Sequence, residues 1–598
     1  LSCRTASFST EKRKIPMAQN RPETLCDIYF AGLEEKKGAA RFLYKSSGKW
    51  EEVTGEEFPL LVRKAAGAML DFGIQPGDRV VISSYNRLEW AVVDYATLLI
   101  GAVTVPLYST LPGDQADFII RDCKAKLLFV ENEEQFEKLI PYSKELHRVS
   151  FSGQKGELWT DFIKKGESLS EENLRDLSGK VRAEDLATLI YTSGTTGNPK
   201  GVMLTHGNVT SNIVMGRNVT RFVEGDLALS FLPLSHIFER AFDFGLFYVG
   251  ATIAYAEGID QVPDNLRELH PTVMAAVPRF YEKVHMKIQE SIATMPDRKK
   301  KIFNWALKVG REESILRMQG KPLPPGLKWK YFWAKKLVLQ KLHERVGGRL
   351  RLFISGGAPL NQDIAEFFFA AGFTILEGYG LSETSPIISI NQEGEVKLGT
   401  VGKPAPGVKV KIASDGEILA QGPNIMLGYL NLPEESAAVL QNGWFYTGDI
   451  GEFDEDGFLR ITDRKKDLAK TSGGKYIAPQ PIELRLKKNP CVANAIVVAD
   501  RRNYPSSLIV PNFEVVKSKL GVGGSPQEMI QEPRVRTLFQ EIVDEVNADL
   551  AQYEKIKRFD CLPDDFSIDS GELTPTMKVK RRVVEKNYSD VIDALYAG

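Results

Sequence analysis

Between residues 79 and 357 the chain carries six short runs of apolar and β-branched residues: RVVISSY (79–85), AVTVPLY (102–108), KLLFVE (126–131), TLIYTS (188–193), ATIAYA (251–256) and RLFISGG (351–357). Segments of helix length and helical periodicity separate them. Short apolar strands spaced in this way indicate parallel α/β units covered on both faces. No repeat of solenoid period is present. From 396 to about 460 the texture changes to glycines, turn signals and short strands, as in KLGTVGKPAPGVKVKI and GWFYTGDIGEFDEDGFLRI, which predicts a β-rich subdomain. A charged, glycine-containing link, TDRKKDLAKTSGGKYIAP, leads to a smaller unit with strands AIVVAD (495–500) and SLIVPNFE (507–514). The expected fold class is therefore α/β. A large N-terminal domain over 21–463, made of parallel α/β subdomains plus the β-rich one, precedes a small α+β C-terminal domain over 464–598.

Length and composition set outer limits. The 598 residues allow several domains, and 43% hydrophobic with 26% charged residues is ordinary for a soluble enzyme. A net charge of −1 gives no general bias toward nucleic acid or acidic partners. Cys3, Cys26, Cys123, Cys491 and Cys561 show neither metal nor disulfide spacing and read as reduced thiols of a cytoplasmic-type compartment. No stretch reaches the ~18 uninterrupted apolar residues needed to span a bilayer. Ala91 to Leu107 comes nearest, but Asp94 and glycine or proline breaks make it a helix followed by a strand. The first sixteen residues, LSCRTASFSTEKRKIP, are basic and Ser/Thr-rich like a transit peptide, and Met17 follows. Residues 1–20 are read as an upstream extension or disordered tail, outside the fold.

The stretch YTSGTTGNPKGVMLTH (191–206) gathers Ser, Thr and Gly around one lysine, a composition suited to wrapping a polyanion. It is no Walker loop, because Pro199 stands where the second glycine belongs and Gly201 follows Lys200. EGYGLSE (377–383) begins like a dinucleotide fingerprint, but Glu383 takes the place of the third glycine. Neither G-x-S-x-G nor H-E-x-x-H occurs, and the six histidines lack ligand spacing.

Further segments follow in order: LPLSHIFERAF (232–242), PTVMAAVPRFYEK (271–283), EGYGLSETSP (377–386), YTGD (446–449) with DRKKD (463–467), and LTPTMKVKR (573–581). Together with the opening loop they resemble the AMP-forming adenylating superfamily, in its long-chain acyl-CoA synthetase branch. The resemblance runs from about 25 to 590. It implies that ATP, Mg2+ and coenzyme A are used to turn a long-chain fatty acid first into an acyl-adenylate and then into acyl-CoA. A carboxylate is a poor electrophile, and attack on the α-phosphorus converts its oxygen into part of a good leaving group.

By that resemblance Thr192, Ser193, Gly194, Thr195, Thr196 and Gly197 would embrace the β- and γ-phosphates, with Lys200 adding a point charge. Glu383 and Thr192 would hold Mg2+, a hard cation that takes few protein ligands beside phosphate; a helix first-turn glutamate is the competing reading of Glu383. Gly356, Gly357, Ala358, Glu377, Gly378, Tyr379 and Gly380 would surround the adenosine, with Tyr379 stacked on adenine or else buried as a core tyrosine. Asp449 would accept both ribose hydroxyls, and Arg464 would add a donor. Lys578 would bind the α-phosphate and carboxylate oxygens. LTPTMKVKR departs from the Ser-Gly-Lys form of many relatives, which leaves Lys580 as the alternative. A hinge would lie at Lys466, about which a mobile C-terminal domain swings, and SGGK (472–475) could reach a pantetheine tunnel. His236 would sit at the mouth of the acyl site or be a core histidine. Phe238, Phe242, Phe247 and Tyr248 read as core rather than tunnel. The rivals are an acyl-AMP ligase that loads a carrier protein and a catalytically silent acyl- or nucleotide-binding relative.

One segment departs from the neutral whole. Residues 298–351 hold sixteen Lys or Arg against three Glu, with Trp305, Trp329, Tyr331, Phe332 and Trp333 interleaved. Basic helices with tryptophans suit peripheral contact with an anionic membrane, on its inner face; a solvated insert or a patch for the CoA phosphates are the other readings. No nucleic-acid module is present. Oligomeric state and preferred chain length carry no signal.

Overall fold

The computed structural model describes residues 21–597 apart from 36–37, 140–145, 193–198, 466–467, 472–475, 568–569 and 574–578. Two large sheets, one of eight strands and one of nine, form its centre. All six predicted runs are strands. In the eight-stranded sheet Arg79–Ser83 lies parallel to both Val103–Leu107 and Ala125–Val130, and Val103–Leu107 parallel to Leu186–Thr192. In the nine-stranded sheet Thr252–Tyr255 and Leu352–Ser355 each have parallel neighbours.

The side-chain period of two explains the layering. Val80 and Ile82 point into a core between the sheets, and Val81 points into a second core on the outer face. Val273 and Ala275 face the same shared core, while Met274 and Ala276 face outward. Between the sheets lies helix Leu88–Leu99, in which every residue but Glu89 is buried. A helix apolar all round has to be enclosed in this way. Its one buried acid, Asp94, is held by Arg240 of helix Ile237–Tyr248: Nε donates to Oδ2 at 2.7 Å and Nη2 to Oδ1 at 2.5 Å. Thr104 adds a bond to the same carboxylate at 2.7 Å, and Arg240 Nη1 donates to Thr188 at 2.7 Å. A bidentate, fully bonded pair offsets the cost of burying two charges, and here it ties two helices to two strands.

The central strands are parallel as expected, and antiparallel pairs are added at the sheet ends, Ala40–Ser46 with Lys49–Thr54 and Leu186–Thr192 with Lys200–Thr205. The β-rich stretch reaches into both large sheets. Its five-stranded antiparallel sheet spans Lys409–Arg464, yet Lys403–Pro404 joins the nine-stranded sheet and Gly428–Tyr429 the eight-stranded one. Two-residue strands carry no periodicity of their own, and only their partners define them.

Beyond 468 a three-stranded sheet has apolar clusters on both faces. Ile496, Val498 and Leu508 face the C-terminal helices; Ala495, Val497 and Ile509 face helix Pro533–Ala548. Lys488 bonds Asp363 at 2.8 Å, which is one of its contacts with the rest of the chain.

Candidate active site

The opening loop follows strand Leu186–Thr192 and precedes strand Lys200–Thr205, with Thr192 opposite Lys200. Ser193, Gly194, Thr195, Thr196 and Gly197 lie outside the described residues, as do Lys466, the SGGK run and Lys578. Leu573 and Val579, on either side of that last lysine, pair as an isolated bridge, and Lys580 N–H donates to the carbonyl of Glu572 at 2.7 Å.

Lys200 is gripped from two sides. Its ammonium lies 5.3 Å from the centroid of the Tyr429 ring and forms an ion pair with Glu435. The Tyr429 hydroxyl donates to Glu383 Oε1 at 2.9 Å, while the Glu383 carbonyl accepts from Met426 N–H at 2.9 Å. Burial, then Glu383, pushes the Tyr429 phenol well above its ordinary pKa, so it remains a donor. Glu383 belongs to the short turn Ser382–Thr384. Asn424 secures that turn by donating to the carbonyls of Thr384 and Ile387 at 2.9 and 2.8 Å. Among the described residues no three His, Cys, Asp or Glu side chains converge as a metal cage. One carboxylate and one hydroxyl, Glu383 and Thr192, do fit a hard cation carried mainly by phosphate oxygens.

The residues expected to surround adenosine lie on adjacent strands. Leu352–Ser355 runs into Gly356, Gly357 and Ala358, and Ile375–Gly380 pairs beside it with Ser355 opposite Glu377. At Gly356 a Cβ would crowd the Phe238 ring at 3.2 Å, and Gly357 has φ +84°, a conformation that favours glycine. At Gly380 a Cβ would fall 1.6 Å from the Pro386 carbonyl oxygen, which excludes any side chain. Glu377 is buried beside Leu360, and burial raises its carboxyl to about 8.

Tyr379 is a buried tyrosine with a polar contact. Its ring belongs to the apolar cluster with Met215, Ile388 and Ile418, and its hydroxyl donates to Asp449 Oδ2 at 2.7 Å. Asp449, 4% exposed, is paired through Oδ1 with Arg464 Nε at 3.0 Å, across strands Trp444–Phe453 and Leu459–Arg464. A carboxylate offers two acceptor oxygens, the number a vicinal diol needs. Next to Arg464, Lys465 is clamped by Asp415 and Glu417, each at 2.7 Å, and they push its ammonium up to about 12.

His236 caps helix Ile237–Tyr248, with Nδ1 accepting from Phe238 N–H at 3.1 Å. Beside it opens an apolar cavity lined by Phe238, Phe242, Gly216, Ile354 and Ile387, among others. Phe238 and Phe242 line this cavity while also belonging to the core between the sheets, as Phe247 and Tyr248 do. Spacing cannot separate a side chain facing a cavity from one facing a neighbour. Tyr429 and Glu435 were missed as well. They stand in MLGYLNLPEE, which has no polyanion signature, and only the pairing of Tyr429 with Val202 brings them to Lys200.

A family model described as AMP-binding enzyme matches residues 32–430, and one described as AMP-binding enzyme C-terminal domain matches 466–598. The long-chain-fatty-acid–CoA ligase FadD15 of Mycobacterium tuberculosis is 37% identical over 564 residues, 92% of this chain and 93% of that protein. The human long-chain-fatty-acid–CoA ligase ACSBG2 is 31% identical over 641 residues, covering 100% and 96%. In fold, the chain is similar to the anthranilate CoA ligase AuaEII in complex with anthranoyl-AMP, with a TM-score of 0.74 at 20% identity over 96% and 98% of the two chains. It is also similar to ATP-bound MatB from Rhodopseudomonas palustris, with a TM-score of 0.68 at 22% identity over 95% and 99%.

Proposed function

We propose, from the premise that the chain belongs to the AMP-binding enzyme family, that it is an ATP- and Mg2+-dependent long-chain fatty acid–CoA ligase forming AMP. The observation that carries the reading is one short segment, 377–383, serving both ends of a nucleotide. Tyr379 meets the Asp449–Arg464 pair, and four residues on Glu383 meets Tyr429, whose ring lies against Lys200. An apolar cavity opens beside the same sheet end.

The fatty carboxylate attacks the α-phosphorus and pyrophosphate leaves. The CoA thiol then attacks the acyl carbonyl and AMP leaves. Asp449 accepts the ribose hydroxyls while Arg464 fixes its orientation; Gly356, Gly357 and Ala358 leave a surface on which adenine can lie opposite Tyr379. Lys200 and the 193–197 loop bind the outer phosphates, and Lys578 the α-phosphate and carboxylate oxygens. Bound through Glu383 and Thr192, Mg2+ supplies charge neutralisation on the phosphates. The acyl tail lies in the cavity of Phe238 and Phe242, with His236 at its mouth.

The division at 463/464 and a swing about Lys466 belong to the same reading. So do a cytoplasmic location and peripheral membrane contact through 298–351; among the described residues no helix is long and apolar enough to cross a membrane. The test is ATP–pyrophosphate exchange with a panel of fatty acids from short to very long, followed by AMP release on adding CoA. Long-chain acids should support both. Exchange without CoA-dependent release would favour carrier-protein loading, and no exchange would favour a silent relative.

A further inference from the structure

We infer that Gly245, in helix Ile237–Tyr248, sets the acyl chain length that the apolar cavity accepts: the side chain it lacks leaves the room a long tail needs. This role belongs to the acyl site of the ligase reading and rests on it. Four positions of the helix line the cavity, Phe238, Ala241, Phe242 and Gly245. They fall at i, i+3, i+4 and i+7, one face of a helix. Phe238 marks the end beside the nucleotide site, because a Cβ at Gly356 would lie 3.2 Å from its ring. Gly245 stands two turns on, about 10 Å further along the helix axis.

A glycine inside a helix needs a reason, because it is among the poorest helix formers. Close packing supplies that reason elsewhere in the chain. A Cβ at Gly310 of helix Asp297–Met318 would fall 1.9 Å from the Ala370 carbonyl oxygen, and one at Gly67 of helix Glu57–Phe72 would fall 2.5 Å from that of Gly166. Gly245 is buried as they are, yet among the described residues a Cβ there would meet nothing within 4 Å. Its φ is not in the left-handed region either. Neither packing nor backbone conformation calls for glycine at 245. What a side chain would occupy there is the cavity itself.

The neighbouring wall repeats the pattern. Helix His206–Thr220 lines the cavity with Asn212, Gly216 and Thr220, successive positions four residues apart. Asn212 belongs to the nucleotide end, since its amide donates to the carbonyls of Thr384 and Ile387 at 3.3 and 3.2 Å. At Gly216 a Cβ would lie 3.9 Å from the Ile387 side chain, an ordinary contact, so there too glycine leaves space that a side chain could fill. Both helices thus run inward from the nucleotide end and carry a glycine deeper down. An acid that ends before Gly245 gains nothing from the gap, whereas a longer tail has to occupy it. Filling the gap should therefore penalise long acids more than short ones, and even one methylene in an apolar pocket discriminates by about tenfold or more.

The test compares Gly245→Leu and Gly245→Ala with the unmodified full chain, on octanoate and palmitate, by ATP–pyrophosphate exchange. Gly245→Leu should lower the palmitate-to-octanoate ratio of kcat/KM about tenfold or more. Gly245→Ala should lower it less and leave Tm equal or higher, because alanine is the better helix former and no atom stands in its way. Gly216→Val should shift the ratio in the same direction, which supplies a second variant if Gly245→Leu does not fold. Displacement of bound cis-parinarate, a fluorescent long-chain acid, by each acid without ATP reads tail selection apart from turnover. There Gly245→Leu should weaken competition by palmitate more than competition by octanoate. If this selection is seen while the unmodified protein shows no exchange, the ligase reading fails and the role of Gly245 stands. If exchange is seen but both acids lose activity by the same factor, or the ratio is unchanged, the role of Gly245 fails and the ligase reading stands. A lower Tm for Gly245→Ala would also overturn the proposal, because close packing would then explain the glycine.

Discussion

Tyr429 touches both halves of the candidate phosphate site, its ring under Lys200 and its hydroxyl on Glu383. Tyr429→Phe keeps the ring and removes one hydrogen bond to a charged group, worth about 1.5–3 kcal/mol. We expect ATP–pyrophosphate exchange to fall about tenfold and the Mg2+ concentration for half-maximal MgATP binding to rise, with Tm unchanged. An unchanged Mg2+ dependence would show that the hydroxyl does not position Glu383. At this scale the sequence was informative where the proposed roles sit in local motifs: Thr192, Lys200, Glu383, Asp449 and Arg464 could all be singled out from contiguous residues. Tyr429 and Glu435 could not. Their importance comes from a two-residue strand pairing whose partner is more than 200 residues away in the chain.

Among the elements, helix Ile237–Tyr248 shows what periodicity conceals. Its aromatic spacing was legible, whereas the burial of Glu239, Arg240 and Asp243 was not, because charged residues ordinarily mark a solvated face. Arg240 is explained by Asp94. Asp243 accepts from Ser230 at 3.1 Å, and burial raises its carboxyl to about 8 from an ordinary 3.8. Between those values the folded chain holds a proton that the unfolded chain has lost, so this contribution is fully present below about pH 4 and lost as pH rises through about 8. Asp243→Asn removes the titration. It should gain about 1–3 kcal/mol relative to the unmodified protein on going from pH 5 to pH 8.5, read from urea melts. A difference between the two proteins that is independent of pH would mean the carboxyl is ionised in the fold. The six parallel strands were legible because buried strands announce themselves as short apolar runs; the antiparallel ends of the sheets were not, because direction depends on the partner.

In the molecule as a whole, the proposed reaction joins a nucleotide site on the N-terminal strands to a C-terminal unit that must supply a lysine. Lys578→Ala should lower adenylation by a factor of about 100 to 1,000, the loss typical of one charge-stabilising donor, and leave thioester formation from supplied acyl-AMP largely intact. Equal loss in both half-reactions would remove the division of labour, and the same loss from Lys580→Ala alone would move the role to that residue. The order of a large and then a smaller domain was legible in the change of texture, while the exposure of Trp329 and Phe332 in the basic insert was not, since it depends on which helix face the sheet covers. The central claim is chemical: the α-phosphorus of ATP is attacked by a fatty carboxylate, and the acyl group passes to CoA. Incubating the full-length protein with palmitate, Mg2+, ATP and CoA, and identifying products by mass spectrometry, tests it most directly. Palmitoyl-CoA, AMP and pyrophosphate should appear in equal amounts, with none formed when palmitate is omitted. ADP and phosphate as the nucleotide products, or AMP formed without acyl-CoA, would contradict the account.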